Sequence, residues 1–336
     1  MVDTDTHAHT DTGAATMQMT DAEQATTPQA LAGLARVNIK RRRNAELGPH
    51  THLAERRAEL DAMQWSRFEL TPAGTTIGAA IGGIDLGSDL DDATISELRA
   101  ALVAHKVLVF RDQALDASSQ SNFASRFGEL EHHPFLGGTE ETPYLVRLAK
   151  DESVGGYENI WHSDVTWREE PAMGAVLRAV DVPAYGGDTL WADMGAAYNG
   201  LTDSMKERLE GLSAVHDFML SYGAAMSPQD REAARFDFPA VEHPVVRTHP
   251  ESGEKVLYVN RIFTSHIVGM DDDESEMLLD HLFSRAEIAE YQFRLRWEPG
   301  TVAMWDNRST QHYASSDYWP QPRVMERAAI IGDRPS

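Results

Sequence analysis

The alternation of apolar and polar side chains is unbroken in Tyr291-Gln292-Phe293-Arg294-Leu295-Arg296-Trp297. Successive side chains of a β-strand point to opposite faces, so this pattern predicts a strand with one face on the core. The Glu298-Pro299-Gly300 segment that follows predicts a turn. A second strand is predicted directly after it, at residues 301–305, so this part of the chain is expected to form sheet.

Other short strands and several helices are predicted before and after this segment. The strands are expected at residues 107–110, 174–180, 256–259 and 327–331, and residues 306–317 are expected to be a polar segment between two strands. Apolar spacings of three and four residues and candidate caps predict helices at 91–102, 119–127, 195–201, 204–212 and 273–286. Residues 223–241 show no clean period and are interpreted as a lid or insertion.

These elements predict a mainly β fold with peripheral α-helices. Many short strands, with helices packed outside and no alternation of strand and helix, are typical of a double-stranded β-helix, also called a jelly roll or cupin-like core. Residues 64–336 are predicted to form this domain. Residues 1–63 have no sustained apolar period and are predicted to be a flexible leader with a short helix near 53–63. Its His7, His9 and basic run 40–43 are expected to be solvated.

The composition excludes several classes of partner and site. The chain has 30 Lys+Arg against 53 Asp+Glu and a formal net charge of -23, which argues against nucleic acid as a partner. Without cysteine there is no disulfide or thiolate site, so a metal would need His, Asp or Glu ligands. No apolar run approaches the roughly 20 residues of a membrane span. No secretory signal pattern is visible, so the cytoplasm is the expected location.

A metal site is predicted around Trp161-His162-Ser163-Asp164-Val165-Thr166-Trp167. In an extended strand His162 and Asp164 would point to the same face. Two His and one carboxylate, with the other positions open, are the ligands typical of a non-haem Fe(II) oxygenase. The best second imidazole is His312, expected just after a strand. Since the strands of a jelly roll fold back on one another, His312 is expected to lie near the first pair.

Between Phe68 and Pro335, the chain resembles the taurine/2,4-D dioxygenase (TauD/TfdA) family of Fe(II)- and 2-oxoglutarate-dependent oxygenases. Five motifs carry the resemblance, in the order Trp161-His-Ser-Asp-Val-Thr166, Gly186-Gly-Asp-Thr-Leu-Trp191, His243-Pro-Val-Val-Arg-Thr-His-Pro250, Trp305-Asp-Asn-Arg to Gln311-His-Tyr313, and Arg323-Val-Met-Glu-Arg327. The resemblance implies that His162, Asp164 and His312 bind Fe(II) as the catalytic centre. It also implies 2-oxoglutarate and O2 as co-substrates, with Thr189 and Arg323 binding the far carboxylate of 2-oxoglutarate.

The resemblance further implies a pocket for an anionic substrate. His133 and Arg327 match the residues that hold the anionic head group in the taurine branch. Phe263 matches an apolar wall of this pocket, and Tyr222 stands where the family often has an aromatic residue.

The sequence also departs from the taurine branch at two positions of that pocket. Glu158 stands where an asparagine lies near the substrate amine, and Leu136 stands where a tyrosine is expected. These departures make taurine itself doubtful and favour an apolar or longer anion. We therefore rank alkyl or aryl sulfonates and sulfate esters first, and aryloxyalkanoates or other carboxylates second. Either would be hydroxylated, and so cleaved, with release of succinate and CO2.

Two readings from other classes remain open at this point. The same triad would suit a zinc-dependent hydrolase, although Arg323 and Thr189 would then have no role. A non-catalytic jelly-roll binding protein is the other alternative. By analogy with the family, a homodimer or homotetramer is possible, and no nucleic acid or membrane partner is expected.

Overall fold

The computed structural model describes residues 50–133, 142–156 and 158–336. The expectations about His7, His9, the basic run 40–43 and Leu136 lie outside these residues. In the part that is described, no helix is long and apolar enough to cross a membrane.

Over these described ranges the chain forms many short strands. In chain order they are β1 (Glu69–Pro72), β2 (Ala79–Gly82), β3 (Val107–Phe110), β4 (Leu145–Lys150), β5 (Ala172–Asp181), β6 (Thr189–Asp193), β7 (Ser213–His216), β8 (Val241–Pro244), β9 (Val246–Thr248), β10 (Lys255–Leu257), β11 (Thr264–Ile267), β12 (Gln292–Leu295), β13 (Val302–Asp306), β14 (Thr310–Ala314) and β15 (Arg323–Ile331). The helices are α1 (His52–Ala62), α2 (Asp92–His105), α3 (Ala117–Ser125), α4 (Met194–Asn199), α5 (Asp203–Leu209), α6 (Met219–Tyr222), α7 (Pro228–Asp237) and α8 (Asp272–Phe283).

Two sheets face each other across the centre of the domain. The larger sheet has seven strands in the order β1-β2-β3-β13-β5-β15-β4, and the smaller has the order β12-β6-β14. All neighbours in these two sheets are antiparallel except β2 and β3. A buried apolar cluster joins the sheets and includes Trp191, Phe293 and Trp305. The double-stranded β-helix with peripheral helices is confirmed.

Strand β3 shows why a short sequence can lie buried on both faces. Val107 and Val109 face the cluster between the sheets, whereas Leu108 and Phe110 face a second cluster under α2 and α3. Side chains of a strand alternate between faces, so an all-apolar run is expected where both faces are covered.

The helix predicted near 53–63 is present as α1, and its Leu53 lies in a third cluster with α4 and α8. The division between leader and domain stays a prediction.

Residues 223–241 contain α7, which begins with a Ser227 cap and a proline in its first turn. The interpretation of this segment as a lid or insertion stays a prediction. Two other sequence predictions of local structure are wrong. The sequence pattern also predicts Met277 on the buried side of the helix over 273–286, but Met277 is 69% exposed, because the buried side of α8 contains Leu278 and Leu282. The segment 306–317 contains β14, whose polar side chains hydrogen-bond inside the protein. Gln311 Nε2, for example, donates to Val259 O at 2.8 Å, so no apolar period marks this strand.

A buried ion pair connects the two facing sheets. Lys106 is fully buried and contacts Asp193 and Glu254, with its Nζ 2.9 Å from Glu254 Oε2. Burial lowers the pKa of Lys106, but the two carboxylates outweigh it and raise this pKa overall. Asp193 also caps α4, accepting from Ala196 N at 2.9 Å. The pair therefore fixes the end of β6 against the start of β3.

We expect Lys106→Met to destabilise the protein strongly. Removing one partner of a buried ion pair leaves an uncompensated charge and costs about 3–5 kcal/mol of the free energy of unfolding. Urea denaturation of the full chain measures this loss. Lys255→Met is the matched control, because Lys255 is exposed and, among the residues that the structure describes, donates only to Thr248 Oγ1, at 2.7 Å. Equal stability of the two variants would contradict the structural role of Lys106.

Candidate active site

The two histidines of the predicted triad are joined through their backbones. His162 lies opposite His312 in an isolated antiparallel bridge. His162 N donates to His312 O at 3.0 Å, and His312 N donates to His162 O at 2.7 Å. His312 lies inside β14 and not after a strand, which corrects the sequence prediction. The bridge brings together two side chains that are 150 positions apart in the sequence.

The prediction that residues 161–167 form a strand is wrong, although His162 and Asp164 do meet. After His162 the chain enters a turn, in which Val165 has a φ of 48°. The side chain of Asn307 holds this turn: its Oδ1 accepts from Asp164 N at 2.7 Å, and its Nδ2 donates to Asp164 O at 3.0 Å. The apolar flanks suggested a strand, but side-chain hydrogen bonds to the backbone stabilise the turn instead.

The three side chains converge on one point. One ligand atom each of His162, Asp164 and His312 lies within 4.8 Å of the others, and all three residues are buried. Asp164 Oδ1 lies 3.8 Å from His162 Nε2 and 3.9 Å from His312 Nε2. His162 Nδ1 lies 2.8 Å from Ile160 O, so this nitrogen donates and Nε2 keeps its lone pair.

The electrostatics of the triad suit a divalent ion. Burial raises the pKa of Asp164, but Arg327 and the neighbouring imidazoles outweigh this effect and lower the pKa to about 2. Burial, and then His162, lower the pKa of His312 to about 3. Asp164 is therefore a carboxylate and His312 a neutral imidazole at pH 7, the forms that bind metals. Asp164 Oδ2 is buried without a hydrogen-bond partner, so the residues present fit a metal ion.

The triad lies in a cavity of about 580 Å³. The cavity is lined by every site residue that the sequence predicted, namely His133, Glu158, His162, Asp164, Thr189, Tyr222, Phe263, His312, Arg323 and Arg327. These residues come from β6, β14, β15, α6 and the connecting segments, which the fold brings to one place. Leu148, Ile160, Val165, Leu177 and Leu220 add apolar surface.

Arg323 forms one cationic part of the cavity wall. It is 7% exposed, and its Nε donates to Gly187 O at 3.0 Å. Its Nη2 lies 3.5 Å from Thr189 Oγ1. Burial lowers the pKa of Arg323, and within the described ranges no carboxylate is in salt-bridge contact with its guanidinium. Such a buried cation favours an anionic ligand.

Gly187 is required where it approaches Arg323. Its φ is 69°, in the left-handed region that disfavours other residues. A Cβ at this position would lie 3.0 Å from Arg323 Cδ. The Gly-Gly-Asp-Thr motif thus combines a turn with close packing against the arginine.

Arg327 forms a second cationic part of the wall, nearer the triad. Its Nη1 donates to Asp164 Oδ1 at 3.0 Å. Burial lowers the pKa of Arg327, but Asp164 and Glu131 outweigh it, so this pKa is raised overall. Glu131 is buried, and its Oε1 lies 2.9 Å from Arg168 Nη2. Burial and then Arg327 lower the pKa of His133 to about 4, so His133 is a neutral donor at pH 7.

Two aromatic residues complete the apolar side. Phe263 is 4% exposed and packs in a cluster with Phe218, against which Tyr222 stacks at a ring distance of 4.8 Å. Phe263 N donates to Asn260 Oδ1 at 3.0 Å, which fixes the loop that presents the ring.

Sequence reasoning assigned no role to Asn307, Glu131, Arg168 or Lys150, which surround the site. Asn307 lies within the Trp305-Asp-Asn-Arg motif, and this position was the only feature of the sequence that could have indicated a role for it. Lys150 Nζ lies 2.8 Å from Glu158 Oε1. This contact crosses a loop whose path the sequence pattern does not predict.

The facing sheets, the His-Asp-His triad and the nearby arginines define the class of non-haem iron, 2-oxoglutarate-dependent oxygenases. Residues 66–329 match the family described as taurine catabolism dioxygenase TauD, TfdA. The chain belongs to this TauD/TfdA family. It is therefore a dioxygenase that uses Fe(II), 2-oxoglutarate and O2.

Similar proteins agree with this assignment. An alpha-ketoglutarate-dependent sulfate ester dioxygenase of Pseudomonas putida is 41% identical over 276 residues, covering 80% of this chain and 91% of the relative. An (S)-phenoxypropionate/alpha-ketoglutarate-dioxygenase of Sphingobium herbicidovorans is 35% identical, covering 79% and 96%. The solved structure of AAD-2 in complex with Mn(II) and N-oxalylglycine has a TM-score of 0.70 and 30% identity, covering 80% and 99%. These findings confirm the oxygenase and give no support to a zinc hydrolase or a non-catalytic protein.

Proposed function

We propose that this enzyme hydroxylates, and so cleaves, an alkyl or aryl sulfate ester or sulfonate. The observation that supports this proposal best is the pair of arginines on β15 in the wall of the cavity that holds the triad, Arg323, which is buried, and Arg327, whose side chain is 11% exposed. Two separate cations suit two separate anions, the co-substrate and the substrate. The sulfate ester dioxygenase relative supports the choice of anion.

Fe(II) is held in this proposal by His162, Asp164 and His312, and the far carboxylate of 2-oxoglutarate by Arg323 and Thr189. The guanidinium offers a planar fork of donors, which matches a carboxylate. Its contacts with Gly187 O and Thr189 Oγ1 fix the direction of the fork before the co-substrate arrives.

The substrate head group is held by Arg327 and His133. Arg327 supplies charge and His133 supplies a neutral N–H donor, so the pair can bind an oxyanion with charge-assisted hydrogen bonds. Phe263 and Tyr222 contact the organic part of the substrate. The apolar side chains around them suit an anion with a hydrocarbon portion, which agrees with the departures from the taurine branch.

When bound, iron and 2-oxoglutarate supply the oxidant that hydroxylates a substrate C–H bond, with release of succinate and CO2. The chain's residues orient the substrate and exclude water. Arg327 and His133 place the carbon that carries the sulfate or sulfonate group near the triad, and Phe263 covers the cavity. Where that carbon carries a hydrogen, as in an alkyl sulfate or alkyl sulfonate, hydroxylation converts the C–H bond to C–OH. The adduct then collapses to a carbonyl compound and sulfate or sulfite, so hydroxylation becomes cleavage.

A panel of organic anions tests this proposal. Alkyl sulfates, aryl sulfates, sulfonates and aryloxyalkanoates are incubated with the full chain, Fe(II), ascorbate and 2-oxoglutarate. We expect a sulfate ester or sulfonate to raise succinate formation above the uncoupled background, and only with O2 present. A stronger response to aryloxyalkanoates would favour the second-ranked carboxylate substrates. Product formed without O2 would contradict the proposal.

We expect Arg327→Met to weaken binding of the anionic substrate while sparing 2-oxoglutarate. The loss should be about 30-fold, because a charge-assisted hydrogen bond in a buried site contributes about 1.5–3 kcal/mol. The Michaelis constants for both substrates measure the effect. Arg57→Met is a matched control, since Arg57 pairs with Asp61 on the exposed face of α1. A variant that lost only its iron would show that Arg327 serves Asp164 alone.

The predictions of a cytoplasmic location and of a homodimer or homotetramer stay part of this proposal. The lack of cysteine is compatible with a reducing compartment. Cell fractionation tests the location, and light scattering tests the oligomeric state.

A further inference from the structure

Lys150 and Glu158 form an ion pair in the wall of the cavity. Lys150 Nζ lies 2.8 Å from Glu158 Oε1, and the side chains are 10% and 34% exposed. Both residues line the same cavity as the triad. The proposed function assigns no part to Lys150.

The sheet register places Lys150 beside Arg323. Strand β4 pairs with β15, and Lys150 is the direct partner of Arg323 in this antiparallel pair. Side chains of directly opposite residues share a face, with Cβ atoms about 5 Å apart. The ammonium and the guanidinium therefore face the same part of the cavity.

Three charged side chains of the described residues line this part of the cavity. Lys150 and Arg323 are positive, and Glu158 is negative. Glu158 is close enough to Arg323 to raise its pKa against the effect of burial. A single carboxylate of a ligand would balance these charges.

We propose that Lys150 is a second cation of the co-substrate site. It donates to the far carboxylate of 2-oxoglutarate beside Arg323, while Glu158 holds the ammonium in place and repels the same carboxylate. This inference rests on the proposed function, in which Arg323 binds that carboxylate. It assigns Glu158 to the co-substrate end of the cavity and not to the substrate amine.

The proposal predicts opposite effects for the two partners of one ion pair. Loss of Lys150 removes an attraction for the co-substrate, whereas loss of the Glu158 charge removes a repulsion and leaves the ammonium available to the ligand. If the pair only tethered the loop before the triad to β4, the two losses would disturb the site in the same direction. The sign of the change therefore separates a binding role from a structural one.

Calorimetric titration of N-oxalylglycine into the full chain loaded with Mn(II) measures the effect without turnover. We expect Lys150→Met to raise the dissociation constant about tenfold, as for loss of a partly exposed charge-assisted hydrogen bond. Glu158→Gln should lower it, by about threefold. Lys150→Arg should bind nearly as tightly as the native protein, because the charge is kept.

Lys255→Met is the control for the change in net charge and should leave binding unchanged. Arg323→Met is the reference for the proposed function. If Arg323→Met weakens binding and Lys150→Met does not, only this inference fails. If neither Arg323→Met nor Lys150→Met weakens binding of N-oxalylglycine, the proposed placement of the co-substrate fails. Glu158→Gln binding as weakly as Lys150→Met would also overturn the inference, and this variant decides the question if Lys150→Met does not fold.

Discussion

Asp164→Asn is expected to abolish most of the enzyme's activity, with turnover falling on the order of 10³-fold. The substitution keeps the size of the side chain but removes the one anionic ligand of the triad. Arg327 contacts Asp164 Oδ1, whereas Oδ2 is buried and has no hydrogen-bond partner among the described residues, so a bound cation would stabilise this oxygen. Iron content after dialysis and the rate of succinate formation measure the two consequences.

The backbone of Asp164 supplies a check that the variant is folded. Asn307 bonds to Asp164 N and O, and these contacts do not involve the carboxylate. The metal-free variant should therefore keep a cooperative thermal transition. Asp61→Asn, on the exposed face of α1, is the matched control and should retain full activity. Wild-type iron content and turnover in Asp164→Asn would refute the triad.

Arg323→Met is expected to raise the dissociation constant for 2-oxoglutarate about 100-fold while iron binding is kept. Truncating one partner of a buried charged contact costs about 2–5 kcal/mol, and Arg323 is buried with no carboxylate in salt-bridge contact among the described residues. Binding of 2-oxoglutarate to the Mn(II)-loaded protein measures the change.

The comparison with Arg327→Met makes this prediction specific. The two arginines lie four residues apart on β15, so a general disturbance of the strand would affect both variants alike. Specific roles predict that one variant loses 2-oxoglutarate and the other loses the anionic substrate. Identical losses in both variants would contradict the assignment of one anion to each arginine.

The strand alternation in residues 291–297 predicted β12 well, because Phe293 and Leu295 face the core while Arg294 faces outward. The alternation of apolar and polar residues did not predict strands whose buried side chains are polar. Strand β14 is buried at Thr310, Gln311 and His312, and its interior contacts are hydrogen bonds, which leave no periodic signal.

The residues of the site were predicted better than the local structure that holds them. His162 and Asp164 were placed on one strand, yet Asp164 belongs to a turn with Val165 at a φ of 48°. The resemblance to the family assigns site roles to residues by their position in a motif. This assignment does not depend on whether the motif is expected to be a strand or a turn. Lys150 and Glu158 are eight positions apart with no regular period between them, so no local pattern predicts their contact.

The reciprocal hydrogen bonds between His162 and His312 have a consequence for how the protein acquires its ion. Because the main chain already fixes the spacing of two of the three ligands, loading does not require a segment to fold around the ion. Little conformational entropy is then lost on capture, and more of the coordination energy is retained as affinity.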